Sequence, residues 1–202
     1  MNDFIKLATV CPRCALPLQH TQHCGHCLNN PPEQDLSISL YRYSDPIRQL
    51  ILDFKYHNQL YLAPFFGQLL AQKIASTSQV ELLIPIPLHP NRLKDRGYNQ
   101  SHELAKSLSR QLNIPVNPHL LTRVIDTPSQ SSMAFKDRKK NMRNAFKLSH
   151  HSLELPKHIA IIDDVLTTGH TANAAAKVFR KEGVATIEIW TIARTVKADF
   201  ND

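Results

Sequence analysis

Apolar residues along the 202-residue chain recur in two periods, one of about two residues and one of about 3.6, in alternation. The clearest strand is Ile159-Ala160-Ile161-Ile162, apolar at every position as a strand covered on both faces should be. Asp163 and Asp164 follow it, then a polar turn, Thr167 to Thr171. Beyond the turn, Ala172, Ala175, Ala176 and Phe179 at i, i+3, i+4 and i+7 predict a helix. Lys177, Arg180 and Lys181 fall on its other side, and Gly183 stands where a helix ends. Thr186 to Ile192 alternates as a further strand, with Trp190 expected in the core.

The first half repeats the pattern. Leu36, Ile38 and Leu40 alternate with Ser37, Ser39 and Tyr41, which predicts a half-buried strand from Leu36 to Tyr43. Asp45 is the expected cap of a helix with Pro46 at its first position and Ile47, Leu50, Ile51 and Phe54 inward. Lys55 then complements that helix's C-terminus. A second helix carries Leu62, Phe65, Phe66, Leu69, Leu70 and Ile74. Val80 to Ile86 predicts a strand punctuated by Pro85 and Pro87. Residues 89–100 then read as a loop, followed by a helix packing Leu104, Ala105, Leu108 and Leu112. Strands alternating with helices imply an α/β domain with an open, mostly parallel sheet.

All four cysteines lie before this pattern begins. Cys11-Pro-Arg-Cys14 and Cys24-Gly-His-Cys27 are two C-x2-C knuckles, a spacing that predicts a closed tetrahedral four-cysteine site for a structural Zn²⁺. Two disulfides are the alternative, and His20, His23 and His26 are nearby donors. About 25 residues cannot hold a core of their own, so the metal would supply the folding energy. Asn29-Asn30-Pro31-Pro32 reads as a linker, giving a zinc module over residues 1–32 and an α/β domain over 33–202.

Charge adds a second division. The formal net charge is +7, of which +1 falls in residues 1–80 and +6 in residues 81–202. A basic domain favours polyanionic partners. The densest run is Lys136, Arg138, Lys139, Lys140, Arg143 and Lys147, opposed by Asp137 alone. It is a candidate track for a nucleic-acid backbone, against the plain reading of a solvated charged turn. Tyr98 and Phe135 are candidates for stacking on bases. No apolar run approaches the roughly 20 residues of a membrane span. MNDFIKLATVC lacks a basic stretch before an apolar core, so a cytoplasmic location is expected.

The turn after Asp164 carries the most specific chemistry. Unsatisfied amides at a helix N-terminus attract a phosphate, Gly169 lets the backbone approach it, and Thr167, Thr168 and Thr171 add hydroxyls. Asp163 and Asp164 are acceptors and suit sugar hydroxyls or Mg²⁺. Placed at a strand end, Asp164 is expected to be replaceable by alanine without loss of the fold. Asp-Asp after a strand also occurs in response regulators and Walker-B segments, but no G-x-x-x-x-G-K-[ST] is present. Arg92, Lys94 and Arg96, with Gly97 for the turn, offer a second anion site.

IIDDVLTTGHT, Ile161 to Thr171, resembles the motif by which type I phosphoribosyltransferases bind 5-phosphoribosyl 1-pyrophosphate (PRPP). The resemblance implies that Asp163 and Asp164 hold the ribose hydroxyls and that Val165, Leu166, Thr167, Thr168, Gly169, His170 and Thr171 form the rest of the PRPP loop, with Mg²⁺ entering alongside PRPP. IPIPLHPNRLKDRGYNQ, the cysteine knuckles and TPSQSSMAFKDRKKNMRNAF together resemble the ComF family, a branch of the phosphoribosyltransferase fold. That resemblance implies a part in natural transformation, with single-stranded DNA and proteins of the competence machinery as partners. Some relatives are instead tied to gluconate utilisation. An active phosphoribosyltransferase with a nitrogenous acceptor is the alternative. Thr167 stands where some purine-handling members carry an acidic base, whereas other members also carry threonine there. Binding and turnover are therefore separate expectations.

Overall fold

The strands expected from the apolar runs pair into one parallel sheet in a computed structural model that describes residues 4–74, 79–125, 145–149 and 154–196. The elements in chain order are α1 (Gly25–Asn29), β1 (Leu36–Arg42), α2 (Ile47–Tyr56), α3 (Leu62–Ile74), β2 (Leu82–Pro85), α4 (Pro90–Arg96) and α5 (Gln100–Leu112). They are followed by β3 (Leu121–Arg123), β4 (Phe146–Leu148), β5 (His158–Leu166), α6 (His170–Lys181) and β6 (Thr186–Arg194). The sheet order is β1-β6-β5-β2, with every pairing parallel. Beyond β2, the segment 115–117 adds a further parallel bridge, Leu83 with Val116. β3 and β4 form a separate antiparallel pair. The fold class expected from the sequence, an open and mostly parallel α/β sheet with a small N-terminal four-cysteine module, is the one observed.

Alternate residues of the central strands feed two cores. Ala160, Ile162, Trp190 and Ile192 pack with α2, α3 and α5 on one face. Ile159, Ile161, Ile187 and Ile189 pack with α6 and the β3–β4 pair on the other. Trp190 is fully buried, and its indole N–H donates to Glu188 Oε2 at 2.7 Å, so its polar edge is satisfied.

The order of the strands locates the site. From β2 the chain goes outward to residues 115–117, then returns across the sheet to β5 on the opposite side of β2. The segments leaving the C-terminal ends of β2 and β5 therefore diverge at a topological switch point, where open α/β sheets bind ligands.

Three local readings are corrected. Residues 90–96, expected as loop, form α4, with Pro90 at its first turn and Gly97 at φ 81° as its left-handed terminus. No residue of α4 is buried, so no apolar period marked it. α2 begins at Ile47 with Pro46 at the capping position, and no Asp45 side chain caps it. β5 runs through Leu166, so both aspartates belong to the strand rather than following it.

One glycine is required by packing. A Cβ on Gly67 of α3 would lie 2.6 Å from Ser107 Cβ on α5 and closer still to its Oγ. We expect Gly67→Ala to cost about 1–3 kcal/mol through overpacking. Ser107→Gly in the same background should recover part of it. Equal thermal melts for Gly67→Ala and the parent would show that the helices can part freely.

Candidate functional site

Two segments build the site, the turn between β5 and α6 and the stretch between β2 and α5. In the first, Gly169 adopts φ 80° and stands at the capping position of α6, where it has no side chain to offer the helix amides. The first backbone bond of the helix runs from Asn173 N–H to the Gly169 carbonyl at 2.8 Å. The amides ahead of it point out of the helix end, the arrangement that receives a phosphate. Thr167, Thr168, His170 and Thr171 are all half-buried along the turn, and Thr168 Oγ1 is hydrogen-bonded to His170 Nδ1 at 3.0 Å. Val165 and Leu166 are buried, one in each core, so their contribution is to fix the turn's root.

The second segment reaches the first through α5. Asn99 caps α5 by accepting from Ser101 N–H at 3.0 Å, and its Nδ2 donates to the Ile86 carbonyl at 2.9 Å. Ser101 Oγ then donates to Asp163 Oδ1 at 3.0 Å. Asn99 and Ser101 are thus site residues that periodicity did not single out. Arg92, Lys94 and Arg96 lie on the solvent-facing α4, and Gly97 ends it. Arg96 donates to Gln100 Oε1 at 2.5 Å, and its guanidinium sits 4.8 Å from the centre of the Tyr56 ring.

The two aspartates differ in setting. Asp164 is buried, and the Lys55 ammonium lies 2.9 Å from its Oδ2. Beyond that ion pair, Oδ2 has no hydrogen-bond partner of good geometry among the described residues. Burial alone would depress the lysine's pKa, but Asp164 foremost, with Asp163 and Tyr43 adding to it, more than offsets that and holds the ammonium charged. By sequence Lys55 is a helix-end charge; the structure makes it the partner of the motif's second acid. Asp163 is pushed up to about 7, first by burial and then by the neighbouring Asp164 charge, against the pull of Lys55, the Asp164 N–H and Ser101.

That raised value sets a pH dependence. As pH rises, unfolded chains release the Asp163 proton from about pH 4, whereas folded chains keep it until about 7. The group's stabilisation is thus full below about pH 4, falls between about pH 4 and 7, and is level above. Asp163→Asn should flatten this part of the melting-temperature profile. An unchanged slope would assign it to other groups.

At the other end of the chain, ligand atoms of Cys11, Cys14, Cys24 and Cys27 all lie within 4.8 Å of one another. Cys14 and Cys24 Sγ are 3.7 Å apart, too long for a disulfide. A tetrahedron with metal–sulfur bonds of about 2.3 Å has edges of about 3.8 Å, which this spacing matches. Cys24 N–H donates to Cys11 Sγ at 3.4 Å, as a knuckle's amide does. Burial pushes the Cys14 thiol up to about 11 and raises Cys27 further, whereas at Cys11 burial is outweighed by backbone hydrogen bonds from Cys24, Cys14 and Arg13, which bring it down to about 7. The donor set fits a closed structural metal site.

Lys136, Arg138, Lys139, Lys140, Arg143 and Phe135 lie outside the described residues. Tyr98 is not a free platform, because it packs on the core and its hydroxyl donates to the Phe54 carbonyl. Among the described residues the exposed aromatics are Tyr56, Tyr61 and Phe65. No helix among the described residues is long and apolar enough to cross a membrane.

No family model matches the chain. It is 38% identical over 198 residues to competence protein F of Haemophilus influenzae, covering 94% of this chain and 86% of that protein. It is 32% identical to the DNA utilization protein YhgH of Escherichia coli strain K12, covering 93% and 85%. It is 25% identical to competence protein ComFC of Bacillus subtilis, covering 92% and 78%.

Proposed function

Because the chain belongs to the ComF family of competence proteins, we propose that it binds PRPP or a similar sugar phosphate, with Mg²⁺, in the cytoplasmic handling of incoming single-stranded DNA. One observation carries the sugar-phosphate part: a helix N-terminus entered through a left-handed glycine stands beside two aspartates at the sheet's switch point. The amides of α6 and the hydroxyls of Thr167, Thr168 and Thr171 would take the 5-phosphate. Asp163 and Asp164 would face the ribose hydroxyls, and the cations of α4, Arg92, Lys94 and Arg96, would meet a pyrophosphate. The four cysteines would hold a structural Zn²⁺.

A role in competence or DNA utilization is supported by the names of the similar proteins and by the basic balance of residues 81–202. Single strands suit exposed aromatics beside cations, which Tyr56 under Arg96 provides on this surface, next to the site. Proteins of the competence machinery are then natural partners. The test is fluorescence anisotropy with a labelled oligonucleotide across a salt series. Affinity should fall steeply with salt, single strands should exceed duplex, and reversing Lys139 and Lys140 to glutamate together should cost more than about 1 kcal/mol at low salt. Absence of binding at low salt would remove DNA from the proposal.

Turnover is a second reading, favoured by the Asp163 value near 7, which lets that carboxyl exchange a proton close to neutral pH. Acceptor-dependent release of pyrophosphate from PRPP, with the phosphoribosyl group recovered on the nitrogen of the acceptor, would establish a transferase.

A further inference from the structure

Arg194 joins two parts of the molecule that lie 180 residues apart in the chain. It ends β6 and is buried, and its guanidinium donates to backbone carbonyls and also faces the cysteine cluster, with the Cys14 thiol as its nearest side-chain partner there. Its Nε donates to the Cys14 carbonyl at 2.7 Å, inside the first cysteine knuckle. Its Nη1 donates to the Leu166 carbonyl at 3.0 Å, to the Thr167 carbonyl, and to the Thr195 carbonyl at 2.8 Å. Leu166 is the last residue of β5, and Thr167 is the first of the phosphate turn.

Buried carbonyls need donors, and here one rigid planar group serves both the knuckle and the turn. A shift of Cys14 therefore has to move Arg194 or break a bond to it. The residue after Cys14 tightens the link, because Ala15 is fully buried in the same core as Ala172 and Ala175 of α6.

We propose that Arg194 is a positioning residue that couples the four-cysteine metal site to the sugar-phosphate turn. A metal on the four sulfurs fixes the Cys14 carbonyl, that carbonyl orients the guanidinium, and the guanidinium fixes Leu166 and Thr167. The coupling rests on the metal and sugar-phosphate readings above. It is also reciprocal: if metal strengthens ligand binding at the turn, ligand at the turn must tighten metal at the knuckles by the same factor.

Hydrogen exchange followed by mass spectrometry tests it without relying on any ligand. Peptides covering residues 166–171 are compared in zinc-loaded protein, in the same protein stripped with a chelator, and in zinc-loaded Arg194→Lys and Arg194→Met. Exchange at the turn should rise by about five-fold or more on stripping and in both variants. A peptide covering β2 should stay protected, and readdition of zinc should reverse the stripped state. Arg194→Lys keeps the charge and loses the planar fork, so it serves if the methionine variant does not fold. A second arm measures zinc release to a coloured chelator: PRPP with Mg²⁺ should slow it in the parent and not in Arg194→Lys. Turn exchange that ignores both stripping and the Arg194→Lys change overturns the coupling. Parent protein that shows no PRPP binding overturns the sugar-phosphate reading instead, and the exchange arm still decides the coupling. Freshly purified, reduced protein without metal overturns the metal reading and the coupling together.

Discussion

Cys24→Ser is expected to abolish stoichiometric zinc and to open residues 11–30 to protease while the sheet still forms. The knuckles bury three cysteines around little else, with Leu16 and Leu18 as their main apolar company. So small an apolar cluster does not fold by burial alone, and metal binding supplies about 10–16 kcal/mol in isolated zinc-finger peptides. Some of that loss would be met here by the sheet. Ser37 N–H donates to the Pro12 carbonyl at 2.7 Å, Ser37 Oγ to the Arg13 carbonyl at 2.6 Å, and Arg194 to Cys14. The destabilisation should still exceed about 4 kcal/mol, the range reserved for loss of a structural metal or a comparable feature. Metal analysis, limited proteolysis and thermal melts together check it. Unchanged zinc content in Cys24→Ser would mean that a nearby histidine had replaced the lost sulfur.

The second large effect is at Asp164. Alanine there leaves the Lys55 ammonium largely buried and without its counter-charge, which costs about 3–5 kcal/mol. The strand-end position read from the sequence suggested that this substitution would spare the fold; burial and the ion pair reverse that expectation. Lys55→Met should be destabilising in its turn. The double variant Lys55→Met with Asp164→Leu should recover most of the loss, since a packed apolar pair avoids the desolvation of both charges. Urea denaturation of the parent, Asp164→Leu, Lys55→Met and the double variant measures the coupling as a double-mutant cycle. Strict additivity would show that the two side chains act independently. Ligand affinity of Asp164→Ala alone is therefore an ambiguous test of the site, and Asp163 or the turn must be probed instead.

What the sequence made legible is what lies close together along it. β5, α6 and the turn between them were readable because one short run carries strand, acids, glycine and helix in order. The cysteine spacing was readable for the same reason. Lys55 was not, because a basic residue in the last turn of a helix already has a sufficient local explanation. Its true partner comes from β5, far along the chain. Ser101 and Asp163, 62 residues apart, and Arg194 and Cys14, 180 apart, fall in the same class. Arg180 falls on the helix side opposite the packed residues, yet it donates to the Glu33 carbonyl at 2.8 Å and to Asp35 Oδ2 at 2.6 Å, tying the stretch after the knuckles to α6. The helix at residues 90–96 is a different kind of omission. Its end signals, Pro90 and Gly97, were present, but with no buried face there was no period to see.

The central claim is that the β5–α6 turn receives a sugar phosphate. Isothermal titration calorimetry of PRPP with Mg²⁺ into zinc-loaded protein tests it most directly, run beside Gly169→Val. Gly169 holds φ 80°, a conformation that a β-branched residue strongly resists, so the variant should displace the turn's amides while leaving both cores intact. The account predicts saturable binding at one site per chain in the parent and an affinity at least about ten-fold weaker in the variant, a difference of about 1.4 kcal/mol. No saturable heat with the parent, or equal affinity in a correctly folded Gly169→Val, would contradict it.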